Sequence, residues 1–291
     1  MTHPLEAPLK PSRAPLVAVW VAACLVVLKG AGAWLTSSLA LGSAAVDSLL
    51  DLCISGVNYL VLLRALQPPD AEHSYGHGKF ESLAELGQGL LLLAASVGLG
   101  ITGVQRLSSG AMPRQTAIGS AVLAVSLLAS WWVSRRLERD AAQTHSPALK
   151  ADGLHYRTDV WVNGAALAAL LVVEWTGWAP ADPLVALAVA AVVFRSAAGL
   201  VWEAVGDLSD RQLPDDEIGR IREIVATFAP EVQGMHDLKT RRSGGQRFVE
   251  LHLEIPRNVS FEDAHDLMVQ VLRAIERELP RCKVFVHGDP V

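Results

Sequence analysis

Between residues 15 and 201 the chain passes through six stretches dominated by apolar side chains: Leu16 to Leu35, Ala44 to Leu63, Leu83 to Val104, Ala117 to Val133, Leu154 to Val173 and Pro183 to Val201. Each is near the length a helix needs to cross roughly 30 Å of hydrocarbon. Such runs leave few options, because a backbone in lipid must satisfy its own hydrogen bonds, and a helix does so within one segment. The expected fold is therefore an α-helical membrane bundle of six spans covering 15–201. Small residues at close spacing, such as Gly30, Gly32 and Ala33, or Gly98, Gly100 and Gly103, suit close helix approach.

An even number of spans puts both termini on one side of the membrane, and basic residues near span ends say which. Lys10 and Arg13, Arg64 and Lys79, and Arg135, Arg136, Arg139, Lys150 and Arg157 fall on the side of the termini. The other face has only Arg106 and Arg114. Basic residues concentrate in the cytoplasm, so both termini are expected there. Residues 1–14 read as a short cytoplasmic leader, since they lead into a run long enough to span and show no small-residue cleavage site.

Past the last span the charge density becomes that of a soluble protein. Residues 202–213 read as a linker and 214–291 as a small domain. Helical spacing over Glu217 to Phe228 is followed by strand patterns at Gly234 to Thr240 and Arg247 to Ile255, separated by Ser243, Gly244 and Gly245. Phe261 to Leu279 is a second helix opened by Ser260, and Lys283 to His287 a third strand. The order αββαβ predicts a small α+β domain with helices on one sheet face. A net charge of −5 gives no reason to expect nucleic acid. Cys24, Cys53 and Cys282 form no CxxC pair, which argues against a thiolate zinc cluster or a disulfide framework.

The chemistry lies in carboxylates and imidazoles. Asp47 and Asp51 stand four apart in the second span, and His155 and Asp159 four apart in the fifth. Residues at that spacing share one helix face, and ionisable groups at membrane depth usually mark an ion or proton path. A single buried acid is explained by a helix contact or by a partner such as Lys29. Two i,i+4 pairs in different spans point to one site, with ligands enough for a four-coordinate divalent cation such as Zn2+. A second group, Asp70, His73 and His77, lies in the loop after the second span. A third is scattered through the soluble domain: His236, His252, His265, His287 and Asp289. Of nine histidines, only His3 and His145 fall outside these three groups, so coincidence is a poor account of them.

Asp47-x-x-x-Asp51 in the second of six spans, His155-x-x-x-Asp159 in the fifth, the loop HSYGHGKFES, the linker LSDRQLPDDE and the tail HGDP together resemble the cation diffusion facilitator family, in particular its bacterial zinc and ferrous-iron efflux branch. The resemblance implies a homodimeric, proton-coupled antiporter of the bacterial inner membrane that exports divalent metal from the cytoplasm, with a ferredoxin-like cytoplasmic domain at the dimer interface. Asp47, Asp51, His155 and Asp159 would then form the transport site, and Asp70, His73 and His77 a loop site. His236, His252, His287 and Asp289 would hold a binuclear cytoplasmic site bridged by His265. A charge interlock near the membrane surface would fall on Lys79 and Asp210. Zn2+ is the expected cargo and occupant of the other sites, with Cd2+ and Fe2+ as alternatives.

Two other classes use the same ligands, a membrane-bound metal sensor and a metal-gated channel. An enzyme is not expected: there is no HExxH and no nucleophile paired with a base. ATP-driven pumping lacks a GxxxxGK[ST] loop.

Overall fold

The computed structural model describes residues 13–36, 39–109, 117–178 and 180–291. Residues 1–12 of the expected leader, with Lys10, and Arg114 on the far face lie outside the described residues, while Ala14, expected as the leader's last residue, opens the first helix. The chain divides into two compact units, Met1–Ala204 and Val205–Val291.

The first unit is helical: α1 (Ala14–Thr36), α2 (Leu39–Ala65), α3 (Lys79–Ser109), α4 (Ala117–Thr144), α5 (Pro147–Thr176) and α6 (Ala181–Leu208). Four of them, α1, α2, α3 and α6, are long and apolar enough to cross a membrane by composition. The other two reach 28 and 30 residues but carry charge within their length. Arg135, Arg136, Glu138, Arg139 and Asp140 lie on α4, and Lys150, Asp152, Arg157 and Asp159 on α5. Many large apolar side chains point outward, among them Val27, Leu60, Leu91 and Leu128, as they would toward lipid.

Two glycines permit close helix approach. A Cβ at Gly89 would come within 2.8 Å of Val201 on α6, and one at Gly103 within 3.0 Å of Leu187. At Gly30 and Gly98, small residues of the same kind, a Cβ would meet nothing within 4 Å among the described residues, so they serve no such contact there. The helix ends follow local chemistry. Ser146 caps α5 by accepting the Leu149 N–H at 3.3 Å, Pro147 follows it, and Gly177, in the left-handed region, closes the helix on the Val173 carbonyl.

In the second unit the last turn of α6 ends where Asp210 adopts φ 56° and the Arg211 N–H reaches back to the Gly206 carbonyl at 2.9 Å. Residues 202–208, expected as linker, are thus helical: the sequence has nothing to stop the helix before that cap. Beyond it come α7 (Asp215–Ala226), β1 (Gly234–Ser243), β2 (Gln246–Ile255), α8 (Phe261–Glu278) and β3 (Cys282–Pro290). The strands form one sheet in the order β1-β2-β3, with β1 and β2 antiparallel and β2 and β3 parallel. Gly244, at φ 59°, supplies the tight turn between β1 and β2.

Alternation along β2 divides the sheet's faces. Val249, Leu251, Leu253 and Ile255 pack with Ile218, Ile221 and Val225 of α7 and Val271 and Ile275 of α8, all buried. The intervening residues Glu250, His252 and Glu254 belong to the opposite face. At one end of the core Arg247 donates to Glu217 at 2.7 and 3.0 Å and to the Pro280 carbonyl at 2.8 Å, while Arg242 reaches the same carboxylate at 2.9 Å. The Arg247 guanidinium holds the Glu217 carboxyl below its ordinary value, and burial pushes the neighbouring Cys282 thiol up to about 12.

Candidate metal centres

In the helical unit, α2 and α5 bring one carboxylate from the first expected pair against both members of the second. Potential ligand atoms of Asp51, His155 and Asp159 all lie within 4.8 Å of one another. His155 Nε2 is 3.0 Å from Asp51 Oδ1, and both side chains are largely buried. Asp47 stands outside this group, exposed one turn away on α2, so the four-residue set expected from spacing is a group of three here.

The surroundings hold these helices in place. Tyr156, next to His155 and only 1% exposed, shares a hydrogen bond with Ser55 of α2 at 2.9 Å and donates to the Ala18 carbonyl of α1 at 3.3 Å. Lys29 of α1 donates to the buried Ser48, between Asp47 and Asp51 in sequence, at 2.7 Å. Lys29 therefore has an internal partner and is close enough for its charge to act on Asp47 and Asp159.

Asp70, His73 and His77 come together in the loop between α2 and α3, with ligand atoms within 4.8 Å of each other. The turn builds the site. Asp70 Oδ1 accepts the backbone N–H groups of His73 at 2.6 Å and Glu72 at 3.0 Å, which fixes one carboxylate oxygen and leaves Oδ2 toward His77 Nε2 at 3.2 Å. The His73 backbone N–H is the chief reason the Asp70 carboxyl lies below its ordinary value. The two imidazole centroids are 4.6 Å apart, and the His77 side chain is only 1% exposed.

The soluble unit assembles its group by strand register. His236 pairs across β1 and β2 with His252, and His252 across β2 and β3 with His287, so three imidazoles occupy one row. Asp289, two residues beyond His287, turns its carboxylate into the row: Oδ2 is 2.8 Å from His252 Nδ1 and 3.0 Å from His236 Nε2, and Oδ1 is 3.3 Å from His287 Nε2. The hydrogen bond with His252 chiefly lowers the Asp289 carboxyl. Potential ligand atoms of His236, His252 and Asp289 likewise lie within 4.8 Å of one another. His265 does not join them: it is exposed on α8 beside Phe261.

Some polar groups close to these centres were not singled out from the sequence. Glu254, on β2, lies 3.2 Å from His236 Nδ1. Asp152, three residues before His155, is fully buried, and Glu81, Glu85 and Gln88 line the inward side of α3. Their spacing of four and three was the available signal. It is obscured because the third apolar run begins at Leu83, leaving Glu81 outside it and Glu85 at its edge.

Comparison with known proteins covers both units. Residues 16–209 match the cation efflux transmembrane domain, and 213–291 the cytoplasmic domain of cation efflux proteins. A cation-efflux pump named FieF from Cronobacter sakazakii is 41% identical over 279 residues, covering 96% of this chain and 92% of the relative. One of the same name from Klebsiella pneumoniae subsp. pneumoniae is 40% identical over 286 residues, with the same coverage. Among solved structures, the metal-bound C-terminal domain of a CzcD transporter from Thermotoga maritima is 28% identical, covers 26% of this chain and 87% of that one, and has a TM-score of 0.25. The chain belongs to the cation diffusion facilitator, or cation efflux, family and is a membrane cation-efflux transporter with a cytoplasmic dimerisation domain.

Proposed function

We propose that this transporter exports divalent metal from the cytoplasm in exchange for protons, with Zn2+ the principal cargo and Cd2+ and Fe2+ accepted. The observation that carries this reading is the enclosed group of Asp51, His155 and Asp159 between two helices of the membrane unit. Its donors are two carboxylates and an imidazole, and Asp47 is the fourth ligand in the metal-bound state. From Asp51 opposite His155 to Asn58 near Asp152 the contacts ascend α2 as they descend α5, and the Tyr156 side chain reaches Ser55 between them. That antiparallel register puts Asp47 at the level of Asp159. A small rotation or slide of α2 would complete the set.

A ligand must lose its proton before it binds metal, so metal and protons compete for the same atoms, and an inward proton gradient favours release outward. Alternating access around the site then couples the two fluxes. In this reading α4 and α5 cross the membrane with the other four helices, their charged residues facing the bundle or the cytoplasmic side, and both termini are cytoplasmic. The membrane domain comprises residues 15–201, and the cytoplasmic domain 214–291. The loop group and the row formed by His236, His252, His287 and Asp289 bind metal on the cytoplasmic side, and the row tightens a homodimer in which the exposed His265 of one copy is available to the other.

Reconstituted vesicles test this directly. Zn2+ flux should rise with an opposed pH gradient, carry protons the other way, and be lost in Asp51→Ala. Conductance without proton movement would identify a channel, and metal binding without flux a sensor.

A further inference from the structure

Above the loop group, the interface of α3 and α5 contains buried polar side chains that the metal-binding reading does not use. At the start of both helices the Ser146 hydroxyl donates to the Glu81 carboxylate, and Glu81 is 2% exposed. One turn on, Glu85 is 1% exposed. The next turn carries Gln88, whose amide donates to Asp152 Oδ1 at 3.4 Å. Asp152 is itself fully buried and lies one helical turn before His155. Asn58 of α2, 4% exposed, flanks it.

These residues line up by helix geometry. Glu81, Glu85 and Gln88 share one side of α3, and Ser146, Asp152 and His155 advance along α5 in the same direction, so the pairs Glu81 with Ser146 and Gln88 with Asp152 are successive rungs of two parallel helices. Several of their atoms lack a hydrogen-bond partner although enclosed: Gln88 Oε1, Asp152 Oδ2 and Asn58 Nδ2. An apolar seam would pack a helical bundle without that cost, and buried polar atoms of this kind take water or another polar guest.

We propose that this seam is a proton path, separate from the route of the metal, connecting the N-terminal ends of α3 and α5 with the Asp51, His155 and Asp159 group, and that Asp152 is its last relay. A proton needs only successive hydrogen-bonding groups and waters, whereas a divalent cation would need several ligands at each step and would stop where they converged. When metal displaces a proton from the transport group, that proton passes to Asp152, then through water held beside Gln88 to Glu85 and Glu81, and leaves where the helices begin; the Gln88 amide positions Asp152 and carries no proton itself. No bond other than those to the proton changes, and the seam returns to its starting state after each passage. The charged groups acting on Asp152 are His155 on its own helix and Asp51 on α2. Glu138 of α4 also approaches α5 but is paired with Arg157 at 3.0 Å. Separate paths would keep the outgoing proton and the incoming metal from meeting, which suits an exchanger.

The inference rests on the proton-coupled reading above, and one experiment separates the two. Zn2+ is mixed with purified full-length protein, and metal binding and proton release are followed together with a zinc dye and a pH indicator. In the wild type, release should follow binding without lag; if the binding phase that Asp51→Ala abolishes releases no protons, the proton-coupled reading fails. In Asp152→Asn and Gln88→Leu, Zn2+ affinity should stay within about threefold and the final proton count should not change, but the binding phase that Asp51→Ala abolishes and its proton release should slow together by about tenfold or more, with a further slowing in D2O, as expected when a proton-transfer group is removed. Wild-type release kinetics in both variants would overturn the path. So would slowing of that phase with no solvent isotope effect, because the seam would then be carrying metal. If Asp152→Asn does not fold, Gln88→Leu, which removes the bridge and keeps the carboxylate, decides the matter.

Discussion

The group in the membrane unit and the row in the soluble unit use the same ligand types but hold them by different means. Asp51 comes from one helix, His155 and Asp159 from another, and only side-chain packing and bonds such as that between Ser55 and Tyr156 fix their separation. His236, His252 and His287 instead occupy paired positions in a hydrogen-bonded sheet, where a displacement must move by whole residues and would exchange one face for the other. Helices can rotate and slide by small amounts; registered strands cannot. Under the proposed alternating access, the helix-held group can open to alternate sides while the strand-held row presents the same ligands in every state.

The sharpest test is removal of one ligand from each site. Outer groups of a metal site already contribute about 10- to 100-fold to affinity, so loss of a ligand in Asp51→Ala should reduce Zn2+ flux by about 100-fold or more. Retained flux would remove the membrane group from the transport role. In the Asp51→Ala background, the residual high-affinity metal binding belongs to the other sites. There His252→Ala, the centre of the row, should weaken it by about 100-fold and His287→Ala, at the exposed edge, by about tenfold. Equal effects would mean that register does not rank these ligands.

A smaller effect is expected from the clasp of Glu217 and Arg247. Glu217→Ala should destabilise the soluble unit by about 2 kcal/mol, since it strands a mostly buried guanidinium but acts on a partly solvated pair. Hydrogen exchange in β2 reads this, and the membrane unit should be unaffected. The pH dependence has a definite sign. The Glu217 carboxyl lies below its ordinary value of 4.5 in the folded protein. Its stabilisation is therefore complete above that value and is lost as pH falls through the lowered one. Glu217→Gln should reduce stability at neutral pH and flatten its decline in acid; an unchanged acid limb would remove the pair from the acid response.

The smallest change concerns metal choice. Asp47→His replaces an oxygen donor with an imidazole and should shift competition toward Zn2+ over Fe2+ by about tenfold, with little change in Zn2+ flux. No shift in competition would mean that Asp47 does not reach the metal.

Much of this arrangement could be read from the residues. Spacing alone picked out the two membrane pairs, because a carboxylate is conspicuous among apolar residues, and the strand pattern put His236 and His252 on neighbouring strands. What spacing could not supply was relative position. Nothing in Asp47-x-x-x-Asp51 says that only Asp51 meets His155 in this arrangement, since that depends on the rotation of α2 against α5. Asp152 escaped notice for the opposite reason: it lies near the start of α5 among residues such as Lys150 and Arg157, where one more charge looks like an ordinary helix end. The helical continuation to Leu208 was hidden because its stop is a backbone cap at Asp210 and Arg211 rather than a proline.

The row of three histidines has one more consequence. Because β2 and β3 are parallel, α8 must carry the chain back along the sheet between them, and His287 reaches its place only after that crossover has docked. Closing the β1–β2 hairpin costs less chain entropy than docking that crossover, so the third imidazole is expected to arrive last. A metal ion added to a refolding chain would detect His236 and His252 as soon as the hairpin closes at Gly244, and would tighten its grip when β3 completes the sheet, so its affinity would serve as a clock for the order in which the domain is assembled.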